Sequence, residues 1–210
     1  MSRASHRVLI PLGMGTPQGT ANYIHPGPHV LYPVPMTTEQ AKFLLDFTLP
    51  TLKQEAATTA KVIAATPNAH LDYRPSERCM TAAELLWHIP SSEVMFLEGI
   101  LSGAFGKAPE KPAGVTTPEQ ISAWYTQNMS AAIEKLSSFT PDEAARILDF
   151  YGVVTTPAAG IITFALGHSI HHRGQLSSYI RPMGGKVPSI YGPSADENPF
   201  AKAEAHTEAK

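Results

Sequence analysis

The chain carries nine histidines in 210 residues, and two of them, His168 and His172, stand four apart in Gly167-His168-Ser169-Ile170-His171-His172-Arg173-Gly174-Gln175. In a helix that offset turns the second side chain about 40 degrees around the axis and raises it about one turn, so both imidazoles reach a single ion. His171 lies three after His168 and swings about 60 degrees the other way, so spacing alone leaves His171 and His172 as alternatives. His88, in Glu84-Leu85-Leu86-Trp87-His88-Ile89, is the natural third ligand and comes from another helix. A lone histidine on an apolar face is ordinarily a satisfied core residue. Several neutral imidazoles gathered without partners carry a desolvation cost that one divalent ion offsets. We therefore expect a metal site built on these histidines inside a helical bundle.

Three neutral ligands leave the ion its full charge and at least one open position, the arrangement of catalytic rather than closed structural sites. Zinc or nickel suits imidazole best. Such an ion lowers the pKa of bound water toward about 7 or holds a thiol as its thiolate. Gln175, facing the site beyond the histidines, is the candidate catalytic side chain, able to orient water or substrate; a core hydrogen bond is the alternative. Glu84 is near enough to ligate, yet its place three after Thr81 gives it a capping role. Ser91, Ser92 and Met95 follow His88 along its face, and Pro90 is expected to kink the helix there. Glu93 and Glu98 fall off that face, so no general base accompanies the ligands. Arg173 points away and is expected in a structural ion pair, with Gly174 admitting a neighbouring helix.

The elements that must position these residues announce their own starts. Thr37 with Gln40, Thr81 with Glu84 and Thr117 with Gln120 can each close a capping box, and Thr156-Pro157 offers a fourth start. Thr140, Pro141 and Glu143 mark a minor turn. The reading is four helices at about residues 38–65, 81–103, 118–138 and 157–181, closed by Pro67, the Gly103–Gly106 stretch, and Pro182 with Gly184 and Gly185. Residues 147–154 are apolar and read as a short extended piece. With no strand series, the fold class is all-α, a four-helix bundle. The domain spans residues 37–192, preceded by a Pro/Gly-rich extension (1–36) and followed by a polar tail (193–210). His6, His25 and His29 fall in the extension and read as ordinary solvent-facing or packed histidines.

Composition narrows the function. Sixteen Lys plus Arg against 18 Asp plus Glu give a formal charge of −2, too little positive field to grip nucleic acid or anionic lipid. No apolar run is long enough for a membrane span or a signal peptide. Cys79 is the only cysteine, which excludes an intrachain disulfide and suits a reducing cytoplasm.

With these residues in view, the chain resembles the DinB/YfiT-like superfamily, whose signature is a histidine in the second helix and His-x-x-x-His-Arg-Gly-Gln in the fourth. His88 and His168 to Gln175 carry it, supported by Glu84 to Ile89, Val187-Pro188 and Tyr191-Gly192. The resemblance implies a bundle with a crossover between the second and third helices, a homodimer, and a three-histidine metal site. It selects His172 over His171, so the implied ligands are His88, His168 and His172. Members of the superfamily include thiol S-transferases and thiol-dependent isomerases. The leading expectation is a metal-dependent transferase that activates a low-molecular-weight thiol for attack on an electrophile. Hydrolysis by metal-bound water is the enzymatic alternative, and metal binding without turnover, as in a stress-response protein, is the other.

Overall fold

The computed structural model describes residues 36–200. The Pro/Gly-rich segment with His6, His25 and His29, and residues 201–210, lie outside the described residues. Four long helices form, α1 (Thr38–Ala64), α2 (Ala82–Ser102), α3 (Pro118–Ser137) and α5 (Ala158–Ile180), with a short α4 (Pro141–Ala145) before the last. Capping boxes close at Thr37, Thr81, Thr117 and Thr140, each with Gln or Glu three residues on. Each cap satisfies otherwise orphaned backbone donors and is worth about 1 kcal/mol. α2 continues through Pro90.

The start expected at Thr156 is different. Pro157 is the N-cap of α5 and makes no side-chain cap bond. Thr156 instead belongs to strand β2 (Val154–Pro157), paired antiparallel with β1 (Ile147–Phe150). The stretch read as one extended piece, 147–154, is therefore β1, a turn and the first residue of β2, with Tyr151 and Gly152 of the turn both in the left-handed region. The Thr156 side chain also fills the space into which a Cβ on Gly160 would point, 2.5 Å from its Oγ1. Only glycine lets the strand enter the helix so closely.

α1 packs on α3 and α5, and α2 packs on the same two, so α1 and α2 lie diagonally across the bundle. α2 and α5 run antiparallel, with His88 beside His172 at one end and Phe96 beside Phe164 at the other. α1 and α3 are also antiparallel, since Ser122, near the start of α3, donates to Ala60 O near the end of α1 (2.9 Å). Pro67, just past α1, meets Ile180 and Gly185 at the end of α5, so those two helices are parallel. α2 and α3 must then be parallel as well, and residues 103–117 return along the molecule as a crossover. Trp87 Nε1 pins this segment by donating to Pro109 O (3.2 Å). Leu45, Ile63, Leu86, Ile89, Leu97, Leu136 and Ile161 are nearly fully buried between the helices, each contributing about 1.5–3 kcal/mol by burial.

Beyond α5 the chain folds back on the bundle. Val187 and Ile190 pack against the core. Asp196 Oδ2 accepts from Val187 N and Arg181 Nε, each at 2.9 Å, and Glu197 Oε2 accepts from Ser189 N at 2.6 Å. The polar segment is therefore fastened at least as far as Glu197.

Candidate metal centre

α2 presents His88, and α5 presents His168 and His172, to a common point halfway between exposed and buried, where one ligand atom from each lies within 4.8 Å of the others. His171, one residue before His172, is exposed on the outer side of α5 and takes no part in the group. The Nε2 atoms of His88 and His172 are 3.2 Å apart. Two nitrogens on one tetrahedral ion at about 2.0–2.1 Å would stand roughly 3.3 Å apart, so this pair is spaced as ligands of one ion are.

The far side of each of these two rings is held. His172 Nδ1 is 3.1 Å from Gln175 Oε1, and His88 Nδ1 is 3.4 Å from Ser92 Oγ. With Nδ1–H donating to those oxygens, each ring turns its Nε2 lone pair toward the shared point. Gln175 Nε2 in turn donates to Tyr179 OH (3.4 Å), which donates to Met80 O (3.3 Å). Gln175 therefore backs His172, the hydrogen-bonding role that the sequence left as the alternative to orienting water or substrate. Among the described residues His168 Nδ1 is buried without a hydrogen-bond partner, a polar atom that burial penalises until something satisfies it. Burial pushes the His168 imidazole down to about 4, helped by the neighbouring His172, His88 and His171. Burial, then the charge of His172, lowers His88 too. Both shifts favour the neutral imidazole, which is the ligating form. The donor set, its spacing and the orphaned nitrogen all fit a divalent cation.

Behind the site runs a buried polar network. Arg173 has a side chain only 1% exposed and pairs with Glu55 of α1 at 2.6 Å. Its Nη1 also donates to Glu55 O and to Thr59 Oγ1, each at 3.3 Å, and its Nη2 donates to Tyr191 OH. The ion pair expected of Arg173 thus locks α5 to α1 and to the returning segment. Gly174 does not admit a neighbour among the described residues: it is exposed, and a Cβ there would meet none of them within 4 Å. Its position one residue past Arg173 turns it to solvent.

Sequence reasoning missed Glu93. This residue is off the His88 face, as expected, but it is buried against α3, where Tyr125 OH donates to its Oε2 and its Oε1 has no partner among the described residues. Burial pushes its carboxyl up to about 8 against the opposing effects of Tyr125 and Arg173, so it is protonated at neutral pH. The signal was present: Ile89 and Leu97, four residues to either side on the same stripe, are fully buried.

One side of the centre opens to solvent. A cleft of about 650 Å³ there is lined by Arg74, Arg78, Glu84, Trp87, His88 and Ser91 among others. Glu84 is committed to its cap, its Oε2 accepting from Thr81 N (2.7 Å) and Thr81 Oγ1 (2.9 Å).

Relatives share this architecture. A family model described as the DinB family matches residues 42–204, a span that takes in all three histidines. The Bacillus subtilis (strain 168) protein YjoA is 32% identical over 116 residues, 55% of this chain and 75% of its own length. YrdA of the same organism is 27% identical over 155 residues, 73% of this chain and 91% of its own. Among solved structures, a DinB-like protein from Bacillus cereus ATCC 10987 aligns with a TM-score of 0.59 at 26% identity, over 70% of this chain and 97% of its own. The DinB-like YjoA structure aligns at 0.56 and 23% identity, over 71% and 98% respectively, a likeness of fold. With the histidine run on α5, its partner on α2 and the family match over most of the chain, this protein belongs to the DinB family.

Proposed function

We propose that the protein is a metal-dependent transferase that brings a low-molecular-weight thiol to an electrophile. In that reaction the sulfur–carbon bond forms, the leaving group departs with its electron pair, and the thiol proton passes to solvent. The observation that carries the reading is the make-up of the site: three imidazoles beside an open cleft, with no carboxylate among or hydrogen-bonded to them in the described residues. A divalent ion held there, zinc or nickel by ligand preference, supplies the Lewis acidity that keeps a thiol deprotonated near neutral pH. Nucleophilic attack by a thiolate then needs no separate base. Hydrolysis would need a general base positioned beside the water, and the two carboxylates that flank His88 along α2 are engaged, Glu84 in its cap and Glu93 with Tyr125.

The chain's own residues have distinct parts in this scheme. Ser92 and Gln175 fix the ring orientations of His88 and His172, and the aromatic wall of Phe96, 5.3 Å from the His168 ring, dries the inner side of the centre. The test is a panel of thiols and electrophiles assayed with zinc-loaded, nickel-loaded and chelated protein. Conjugation is expected only with metal, and His168→Ala is expected to abolish it while helical circular dichroism is kept. Equal turnover in chelated protein, or none with any pair, would sink the proposal.

A further inference from the structure

The cleft that reaches His88 carries charge opposite to that of the whole chain. The protein has a formal charge of −2, yet the cleft lining holds two guanidiniums, Arg74 and Arg78, against the single carboxylate of Glu84. That carboxylate is occupied twice over by Thr81. Neither arginine makes an ion pair among the described residues. Among those residues Arg74 makes one side-chain bond, from Nη1 to Glu77 O (3.2 Å), which leaves most of its donors available.

The backbone beneath the two arginines is tied to the start of α2. Ala82 N donates to Tyr73 O and Ala83 N to Leu71 O, both at 2.8 Å, and within the loop Cys79 N donates to Ser76 O at 3.0 Å. A loop fastened in this way holds the backbone that carries both arginines at a fixed place relative to His88, seven residues beyond Thr81 on the same helix. Seven residues of helix rise by roughly 10 Å. Allowing for side-chain reach at both ends, one molecule a few bonds long can touch the guanidiniums and the metal centre together.

We propose that Arg74 and Arg78 form an anion subsite for the thiol substrate, which carries a carboxylate several bonds from its sulfur. This rests on the thiol-transfer reading above. The guanidiniums hold the carboxylate through charge-assisted hydrogen bonds, and the sulfur end lies along Trp87 and Ser91 toward His88. The cleft thereby selects anionic thiols over neutral ones of equal length.

Isothermal titration of the full chain tests this without relying on turnover. The probes are 6-mercaptohexanoate, the neutral 6-mercaptohexanol and the sulfur-free hexanoate. Zinc-loaded wild type should bind 6-mercaptohexanoate about tenfold more tightly than 6-mercaptohexanol, about 1.4 kcal/mol. Arg74→Gln with Arg78→Gln should erase that preference and leave 6-mercaptohexanol binding unchanged. Lys135→Gln, an exposed cation at the far end of α3, should change nothing. Equal preference in wild type and the double variant would overturn the proposal. If neither thiol binds in a zinc-dependent way, the transfer reading fails, and hexanoate with zinc-free protein then decides the subsite. Binding lost in the double variant upholds it, and binding absent or insensitive to the arginines refutes it.

Discussion

Gln175 and Ser92 illustrate how much of a metal site lies behind its ligands. A ring free to rotate must give up that freedom on binding, whereas one already held by an oxygen on Nδ1 does not. Replacing Gln175 by Leu should therefore weaken zinc binding by about 10- to 100-fold, measured by competition with a chromophoric chelator, whereas Gln175→Glu should retain most of it. Unchanged affinity in Gln175→Leu would show that the bond to His172 does not position the ring. Glu93 yields a prediction of another kind. Its carboxyl is held at about 8 in the folded protein, against about 4.3 in an unfolded chain. The native state keeps its proton after the unfolded state has lost it, so this group's contribution to stability falls as pH rises from about 4.3 to 8. Wild type should thus lose stability relative to Glu93→Gln across that window, by on the order of a few kcal/mol. Denaturant midpoints of both proteins at pH 5 and pH 8 check this, because the opposing contribution of the depressed histidines is common to the two and cancels in the comparison.

α5 is the element on which everything converges. Its one face supplies two ligands, and its next residue, Arg173, reaches through the core to Glu55. A buried pair of this kind adds little net stability over apolar residues of the same volume, but breaking it strands a charge. Arg173→Met should cost about 3–5 kcal/mol in urea unfolding. The double variant Arg173→Met, Glu55→Met should recover a large part of that loss, and if the two changes instead add, the pair is not coupled. Because Tyr191 bonds both partners, the same break should loosen the segment after α5, visible as faster amide exchange at residues 187–197.

Across the whole molecule, the metal centre sits at one edge of a core that closes without it. Leu85, Leu97, Ile100, Leu136 and Ile162 are fully buried in one extended apolar cluster, a core far larger than the few apolar residues that a zinc finger gathers around its ion. Chelated protein should therefore keep its helical circular dichroism and unfold cooperatively. Zinc at about 100 times its Kd should then add about 2.7 kcal/mol, read as a rise in the thermal midpoint; collapse of the fold on chelation would mark the metal as structural.

What local sequence decides, it decided alone. The Thr-x-x-Gln/Glu boxes satisfy helix-terminal donors with residues three positions apart, so the caps at Thr37, Thr81 and Thr117 were readable without a fold, and so was the single-turn spacing of His168 and His172. Thr156 misled because a hydroxyl before a proline looks the same whether it caps a helix or ends a strand; its pairing with Leu148 across the hairpin settles the matter. Which histidine faces inward, where Arg173 finds its partner, and why Arg74 stands near His88 depend on contacts between distant parts of the chain. His88 and His172 are 84 residues apart and Arg173 and Glu55 are 118. Periodicity shows that a face is buried but not what it is buried against. The tertiary structure alone chose those partners, and with them the polarity of the cleft.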